Sequence, residues 1–247
     1  MQHYFLNHSL QVGQIIELPN DVSHHWNGVM RAERGSKAEF VSNQEIVYVG
    51  ELVDEATPTI KITEKTNQNV ELPVRVTIVC GLPKGSKADL ITQKATEMGA
   101  DRIIFTPTDW AIAKWGSKAP KKIKRLQKIA KSAAEQSHRN LIPDVKYVDS
   151  INHVSKIKSD CKVMAYEEAA KHGENSKLYK IVSQMKTGQG LMVFFGPEGG
   201  ISPSEVEELE NVGFVSVGLG PRILRTESAP LYLLSAVSTL LELKQTK

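Results

Sequence analysis

From residue 72 onward, short β-branched runs alternate with stretches of helical periodicity. Residues 74–80, 102–106, 145–148, 162–166, 191–195 and 214–217 read as strands. Helical patterns fill the intervals at 88–99, 152–157, 176–185 and 202–211, and a long one covers 226–243. The strands are almost continuously apolar, so both faces of their sheet must be covered. That pattern predicts an α/β domain with a mainly parallel sheet and helices on both faces. The first 70 residues differ. Alternating runs at 14–18, 38–41, 46–53 and 59–63 are separated by Pro19-Asn20-Asp21, Arg34-Gly35-Ser36 and Ser42-Asn43-Gln44, the pattern of a small all-β unit. The polar stretch 63–69 reads as a linker. Two domains are expected, 1–70 and 73–247.

Charge is distributed unevenly between them. Residues 1–72 carry five Lys/Arg against ten Asp/Glu, and nine basic residues fall between Lys114 and Arg139 against the single acid Glu135. Ile123, Leu126, Ala130 and Ala133 recur there at helical spacing, so a helix would bury them and turn its lysines outward. Two readings stay open: a solvated helix face, or a phosphate-binding surface that a polyanion screens. The longest apolar run, 191–195, is far short of the ~20 residues of a membrane helix, and the opening MQHYFLNHSL lacks a secretory pattern. A cytoplasmic protein with no membrane partner is expected. Cys80 and Cys161 lie in apolar runs and read as buried thiols of a reducing compartment.

Ligands of open α/β sheets bind beyond the carboxyl ends of strands. Three such ends are unusual: Tyr166 followed by Glu167-Glu168, Phe195 followed by Gly196-Pro197-Glu198-Gly199-Gly200, and Val217 followed by Gly218-Leu219-Gly220-Pro221-Arg222-Ile223-Leu224-Arg225. Glycines directly before a helix start allow close backbone approach to a ligand. Gly218-x-Gly220-x-x-Ile223 departs from a dinucleotide fingerprint at its third position. The run from Gly81 to Lys87 is one residue too short between its glycines for a P-loop, and it lacks the Lys-Ser/Thr pair. The serines have no G-x-S-x-G context. No His-x-x-x-His or clustered acid/His set appears in the sequence, so metal catalysis is not expected. Trp26 reads as a core residue, with base stacking as the alternative.

FFGPEGGIS and, about twenty residues later, GLGPRILRTESA resemble the paired signature of SPOUT methyltransferases. The resemblance extends to LPKGSKADLITQKATEMGA, KIAKSAAEQSHRNLIP and HHWNGVMRAERG, which are similar to the RsmE family of bacterial 16S ribosomal RNA uracil-N3 methyltransferases. Two departures stand out. His3 precedes Tyr4-Phe5 where that family usually shows arginine, and Ser228 replaces a threonine.

The resemblance implies a PUA-like β-barrel followed by a trefoil-knotted SPOUT domain, in a homodimer. It implies S-adenosylmethionine as cofactor and the small ribosomal subunit as partner. Cofactor contacts would come from Tyr166, Gly196, Pro197, Glu198, Gly199, Gly200, Gly218, Leu219, Gly220, Ile223, Leu224, Arg225, Thr226 and Ser228. Arg225 would stabilise the uracil anion, Glu198 would serve as base, and Glu227 would assist either catalysis or the last helix. Arg31, Arg34, Lys84, Lys87, Lys121, Lys122, Lys124, Arg125 and Arg139 are the candidate RNA contacts. The apolar helix ending at Leu243 is a candidate dimer face or an ordinary core helix. Methylation of a ribose 2′-oxygen and non-catalytic RNA binding on the same fold are the rival functions.

Overall fold

The computed structural model describes residues 1–171 and 176–243. The chain divides into two compact units, Met1–Glu71 with Ala134–Leu141, and Leu72–Ala133 with Ile142–Lys247. The transition at residues 71 and 72 lies beside the one expected. The return of Ala134–Leu141 to the first unit was not expected.

In the first unit, β1 (Gln2–Phe5), β2 (Ile15–Glu17), β3 (Lys37–Val41), β4 (Val47–Asp54) and β5 (Thr59–Lys65) form a sheet in the order β1-β3-β4-β5-β2. β1 runs parallel to β3, and the other pairs are antiparallel. Alternate residues face one core of Tyr4, Phe40, Leu52, Ile60 and Ile62. Gly50 is required there, because a Cβ would stand 2.8 Å from the Phe40 ring. A short helix, α1 (Asn20–Ser23), continues into a π-helical turn at His24–Val29. This turn sets Trp26 in the core, with its ring centroid 5.6 Å from that of Phe40. β1 was missed in the sequence because its second residue, His3, is polar. His3 is nonetheless buried, its ring nitrogens hydrogen-bonded to Glu39 and to the Arg139 carbonyl.

Among the described residues, the second unit holds six parallel strands: β6 (Arg75–Gly81), β7 (Arg102–Thr106), β8 (Asp144–Tyr147), β9 (Cys161–Ala165), β10 (Gly190–Phe195) and β11 (Val215–Val217). Their order is β11-β9-β10-β6-β7-β8, so β10 lies between two strands that precede it in the chain. The apolar runs resolve into two faces. Ile78, Cys80, Ile103, Phe105, Val193 and Phe195 enter one core. Val79, Ile104, Met164, Met192 and Phe194 enter the other.

Of the helices, α2 (Lys87–Glu97), α3 (Ala119–Gln136), α6 (Lys177–Gln184) and α8 (Ala229–Leu241) supply Ile91, Leu126, Val182 and Leu234 to the first core. On the opposite face, α4 (Ile151–Ser155) and α7 (Pro203–Asn211) supply Val154 and Leu209. Of the stripe on α3, Leu126, Ala130 and Ala133 are buried and Ile123 is partly so. A short helix, α5 (Glu167–Lys171), for which no helical pattern was read in the sequence, starts just after β9. Cys80 is buried, but Cys161 at the start of β9 is only partly so.

Candidate active site

The carboxyl ends of β6, β9, β10 and β11 lie side by side, because β10 is inserted between β9 and β6. Tyr166, just past β9, donates its backbone N–H to the Val217 carbonyl at 3.1 Å, tying that end to the Gly218 turn. The turn after β10 folds tightly on itself. A Cβ on Gly196 would stand 2.7 Å from the Gly200 carbonyl carbon, and Gly200 has φ +83°. Ser202 then starts α7 with a capping box. Its Oγ accepts from the Glu205 N–H at 3.2 Å, and the Glu205 carboxylate accepts from the Ser202 N–H at 2.9 Å. Gly81, at the end of β6, leaves room for this turn. A Cβ there would fall 2.5 Å from Pro197 Cδ.

The two glycine-bearing turns share one cavity with two lobes. A lobe of about 330 Å³ is walled by Leu219, Gly220, Pro221 and Arg222. A second, of about 430 Å³, is walled by Gly196, Pro197, Glu198, Gly200, Arg225 and Thr226. Tyr166, Ile223 and Leu224 border both. Gly199, Gly218 and Ser228 are not in either wall. Gly199 instead abuts Trp110, where an added Cβ would meet the Trp110 Cβ at 2.9 Å. Trp110 is about half exposed and lines the second lobe. No local pattern in the sequence marks it, since it reaches the cavity from the loop after β7.

Lys87, the first residue of α2, crosses the second lobe's edge. Its Nζ lies 2.9 Å from Glu198 Oε1 and 2.9 Å from Glu227 Oε2. Glu198 Oε1 also accepts from the Lys84 backbone N–H at 3.1 Å. Glu227 Oε2 is buried and has no well-aligned donor, so its contact with Lys87 is an ion pair. Burial pushes the Glu198 carboxyl up. The Lys87 ammonium and the backbone N–H groups of Glu198 and Lys84 outweigh it and hold the carboxyl below the ordinary glutamate range. Contact with Lys87 does the same for Glu227. The two carboxylates in turn raise Lys87. Lys87, expected as a free RNA contact, is therefore the hub of an ion bridge.

Three other expected RNA contacts are engaged elsewhere. Arg139 is buried and paired with Glu71, so it presents no charge to solvent. Arg125 makes a two-point contact with Asp89, at 2.6 Å through one nitrogen. The Lys122 ammonium sits 5.4 Å from the Trp115 ring centroid. Arg31, Arg34, Lys84, Lys121 and Lys124 are exposed.

A family model described as an RNA methyltransferase domain matches residues 70–238. The ribosomal RNA small subunit methyltransferase E of Bacillus subtilis is 43% identical, with 98% of each chain covered. The crystal structure of the Neisseria gonorrhoeae protein of that name, bound to S-adenosyl methionine, superposes with a TM-score of 0.85 at 28% identity, covering 97% of this chain and 98% of that one. A putative methyltransferase from Legionella pneumophila, solved in complex with the same cofactor, gives 0.82 at 25% identity over 96% of both chains. With both glycine turns on one cavity and likeness running along the whole chain, the protein belongs to the RsmE family of small-subunit ribosomal RNA methyltransferases.

Proposed function

We propose that the protein transfers a methyl group from S-adenosylmethionine to N3 of one uridine in 16S ribosomal RNA. The observation that carries this reading is the convergence of the turns after β10 and β11 on a single cavity. The residues fit the cofactor. Leu219, Ile223 and Leu224 offer apolar faces to a flat purine, and Ile223, 77% exposed, stands uncovered at the rim. The close approach allowed by Gly196 and Gly200 leaves backbone groups for a ribose and an amino-acid tail. Both lobes are of ordinary size for a small-molecule site.

In this reading Tyr166, Leu219, Gly220, Ile223 and Leu224 hold the adenine. Gly196, Pro197, Gly200 and Thr226 hold the remainder. When bound, the sulfonium supplies an electrophilic methyl group. The chain positions the uracil and eases loss of its N3 proton. Arg225, exposed on the second lobe's wall, opposes the negative charge that develops as that proton leaves. Glu198, kept ionised by Lys87, is a weak base, so it holds Lys87 in place while the proton passes to solvent. Trp110 at the mouth gives an extruded base a ring to stack on.

RNA phosphates meet the exposed Lys84, Lys121 and Lys124, with Arg31 and Arg34 acting on the first unit, which serves as a PUA-like RNA-binding barrel. The six-stranded sheet is read as the SPOUT trefoil knot. Two copies join through α8, where Leu233, Leu234 and Val237 face the core but Tyr232 remains 41% exposed. The site of action is the cytoplasm, on the assembled small subunit.

Nucleoside mass spectrometry of 16S RNA from cells lacking the protein tests the reading. The expected loss is 3-methyluridine, restored by the wild-type chain and not by Arg225→Ala. Loss of 2′-O-methyluridine with 3-methyluridine intact would establish the ribose reaction instead. Calorimetric titration with S-adenosylmethionine separates catalysis from plain RNA binding, since a binding factor takes up none.

A further inference from the structure

Folding brings together three side chains that lie far apart in the sequence and outside the cavity. His3 on β1, Glu39 on β3 and His138 in the segment after α3 all belong to the first unit. Their donor atoms lie within 4.8 Å of one another. His3 Nδ1 is 2.8 Å from Glu39 Oε2, and His138 Nδ1 is 2.7 Å from the same oxygen. The His3 Nε2 lies 2.8 Å from the Arg139 carbonyl oxygen. A carbonyl only accepts, so the proton sits on Nε2. In the neutral ring, Nδ1 then aims a lone pair at a carboxylate oxygen. Two lone pairs at that distance repel unless a second ring proton or a metal ion lies between them. A backbone carbonyl on the far ring nitrogen is the outer contact that fixes a histidine for metal ligation.

From this geometry we infer a binding site for a divalent transition cation of the zinc class, held by His3 Nδ1, Glu39 Oε2 and His138 Nδ1. Two imidazoles and one carboxylate form a ligand set suited to zinc. Tetrahedral coordination with legs near 2.0–2.1 Å places ligand atoms about 3.3 Å apart, so each histidine nitrogen needs to draw back from the carboxylate oxygen by about half an ångström. One divalent charge satisfies the carboxylate and both rings. A proton in that place would make His3 a fully buried imidazolium, whereas a metal ion leaves both rings neutral. The burial is graded. His3 is fully covered, the Glu39 side chain is 14% exposed and that of His138 is 38% exposed. The exposed side of His138 gives an entry path from solvent. His138 also holds φ at +54°, an uncommon conformation for a residue other than glycine, with its ring against Glu39. The cation would clamp β1, β3 and the 134–141 segment and would stand apart from the methyl-transfer chemistry.

The test is titration of the full, chelator-stripped chain with zinc chloride against a chromogenic indicator, with cobalt(II) chloride as a spectroscopic probe. Expected are one zinc per chain, a visible absorption band with cobalt, and a higher melting temperature with zinc. His138→Gln, on a partly exposed side chain, should weaken zinc binding at least tenfold, abolish the thermal gain and leave S-adenosylmethionine uptake unchanged. Glu39→Gln should do the same. Absence of zinc uptake by the wild type at tens of micromolar overturns the site and leaves a proton-bridged network. So does an unchanged zinc stoichiometry in His138→Gln, which would assign the metal to other surface histidines.

Discussion

At the scale of single residues, the candidate site depends on contacts that leave almost no room. Gly81→Ala would drive a methyl group into Pro197, whose Cδ and N lie 2.5 Å and 2.8 Å from the added atom. The turn after β10 must then shift. S-adenosylmethionine affinity should fall at least tenfold, about 1.4 kcal/mol, by calorimetry, while the circular dichroism spectrum is retained. The ion bridge makes a second prediction. Because the Glu198 and Glu227 carboxyls titrate below the ordinary value of 4.5, the bridge is complete above that value and is lost only as pH falls through the depressed ones. Lys87 is raised, so its side of the bridge is complete below the ordinary lysine value and fails only above it. Methyl transfer should therefore show no break from this trio across the neutral range. In Lys87→Gln the Glu198 and Glu227 carboxyls should titrate higher, toward the ordinary glutamate value, as read by carboxyl-carbon NMR over a pH series. Gly196, Gly200 and Gly220 were legible in the sequence because a glycine-dense turn after an apolar strand is a local pattern, whereas Ile223 and Leu224 as site residues came from the family resemblance. Gly81, Trp110 and the role of Lys87 were not. Each acts through a partner distant in the chain, such as Pro197, Gly199 or Glu227, and neither side carries a mark of that meeting.

At the scale of elements, α3 shows how far a charge count reaches. The count placed nine basic residues between Lys114 and Arg139. The structure buries Arg139 against Glu71 and sets Lys122 over the Trp115 ring, while Arg125 pairs with Asp89 but keeps about half of its side chain in solvent. Lys121, Lys124 and Lys128 remain exposed. Replacing these three by Gln should weaken RNA binding and reduce the slope of log affinity against log salt by roughly 0.7–0.9 for each phosphate no longer neutralised. Filter-binding assays over a salt series measure this, and an unchanged slope would leave α3 as a solvated face. Strands were the easiest elements to find, since β6, β7 and β10 are apolar runs that only a covered sheet accommodates. β1 escaped because a buried histidine breaks its pattern, and the π-helical turn at His24–Val29 because its spacing matches neither a strand nor an ordinary helix.

At the scale of the whole molecule, the division into units does not follow the chain as a single cut. Asn140 accepts a hydrogen bond from the Val70 N–H at 3.1 Å and donates to the carbonyls of Glu45 and Gln68 at 3.0 Å and 2.9 Å. Arg139 and the Asn140 N–H satisfy the Glu71 carboxylate. A fragment of residues 1–71 lacks all of these partners. It should lack cooperative unfolding in a denaturant titration, which a fragment able to stand alone would show. The sequence could not reveal this, because the returning segment continues a helix pattern that belongs to the other unit. The strand order carries one more consequence, for the birth of the chain on a translating ribosome. β6, β7 and β8 can pair as they emerge, each beside one already made. Among the described residues β9 pairs only with β10 and β11, both translated after it. The nascent chain therefore carries an unmatched strand edge until residue 195 has left the exit tunnel. A message truncated before that codon would yield a product with a bare, aggregation-prone edge.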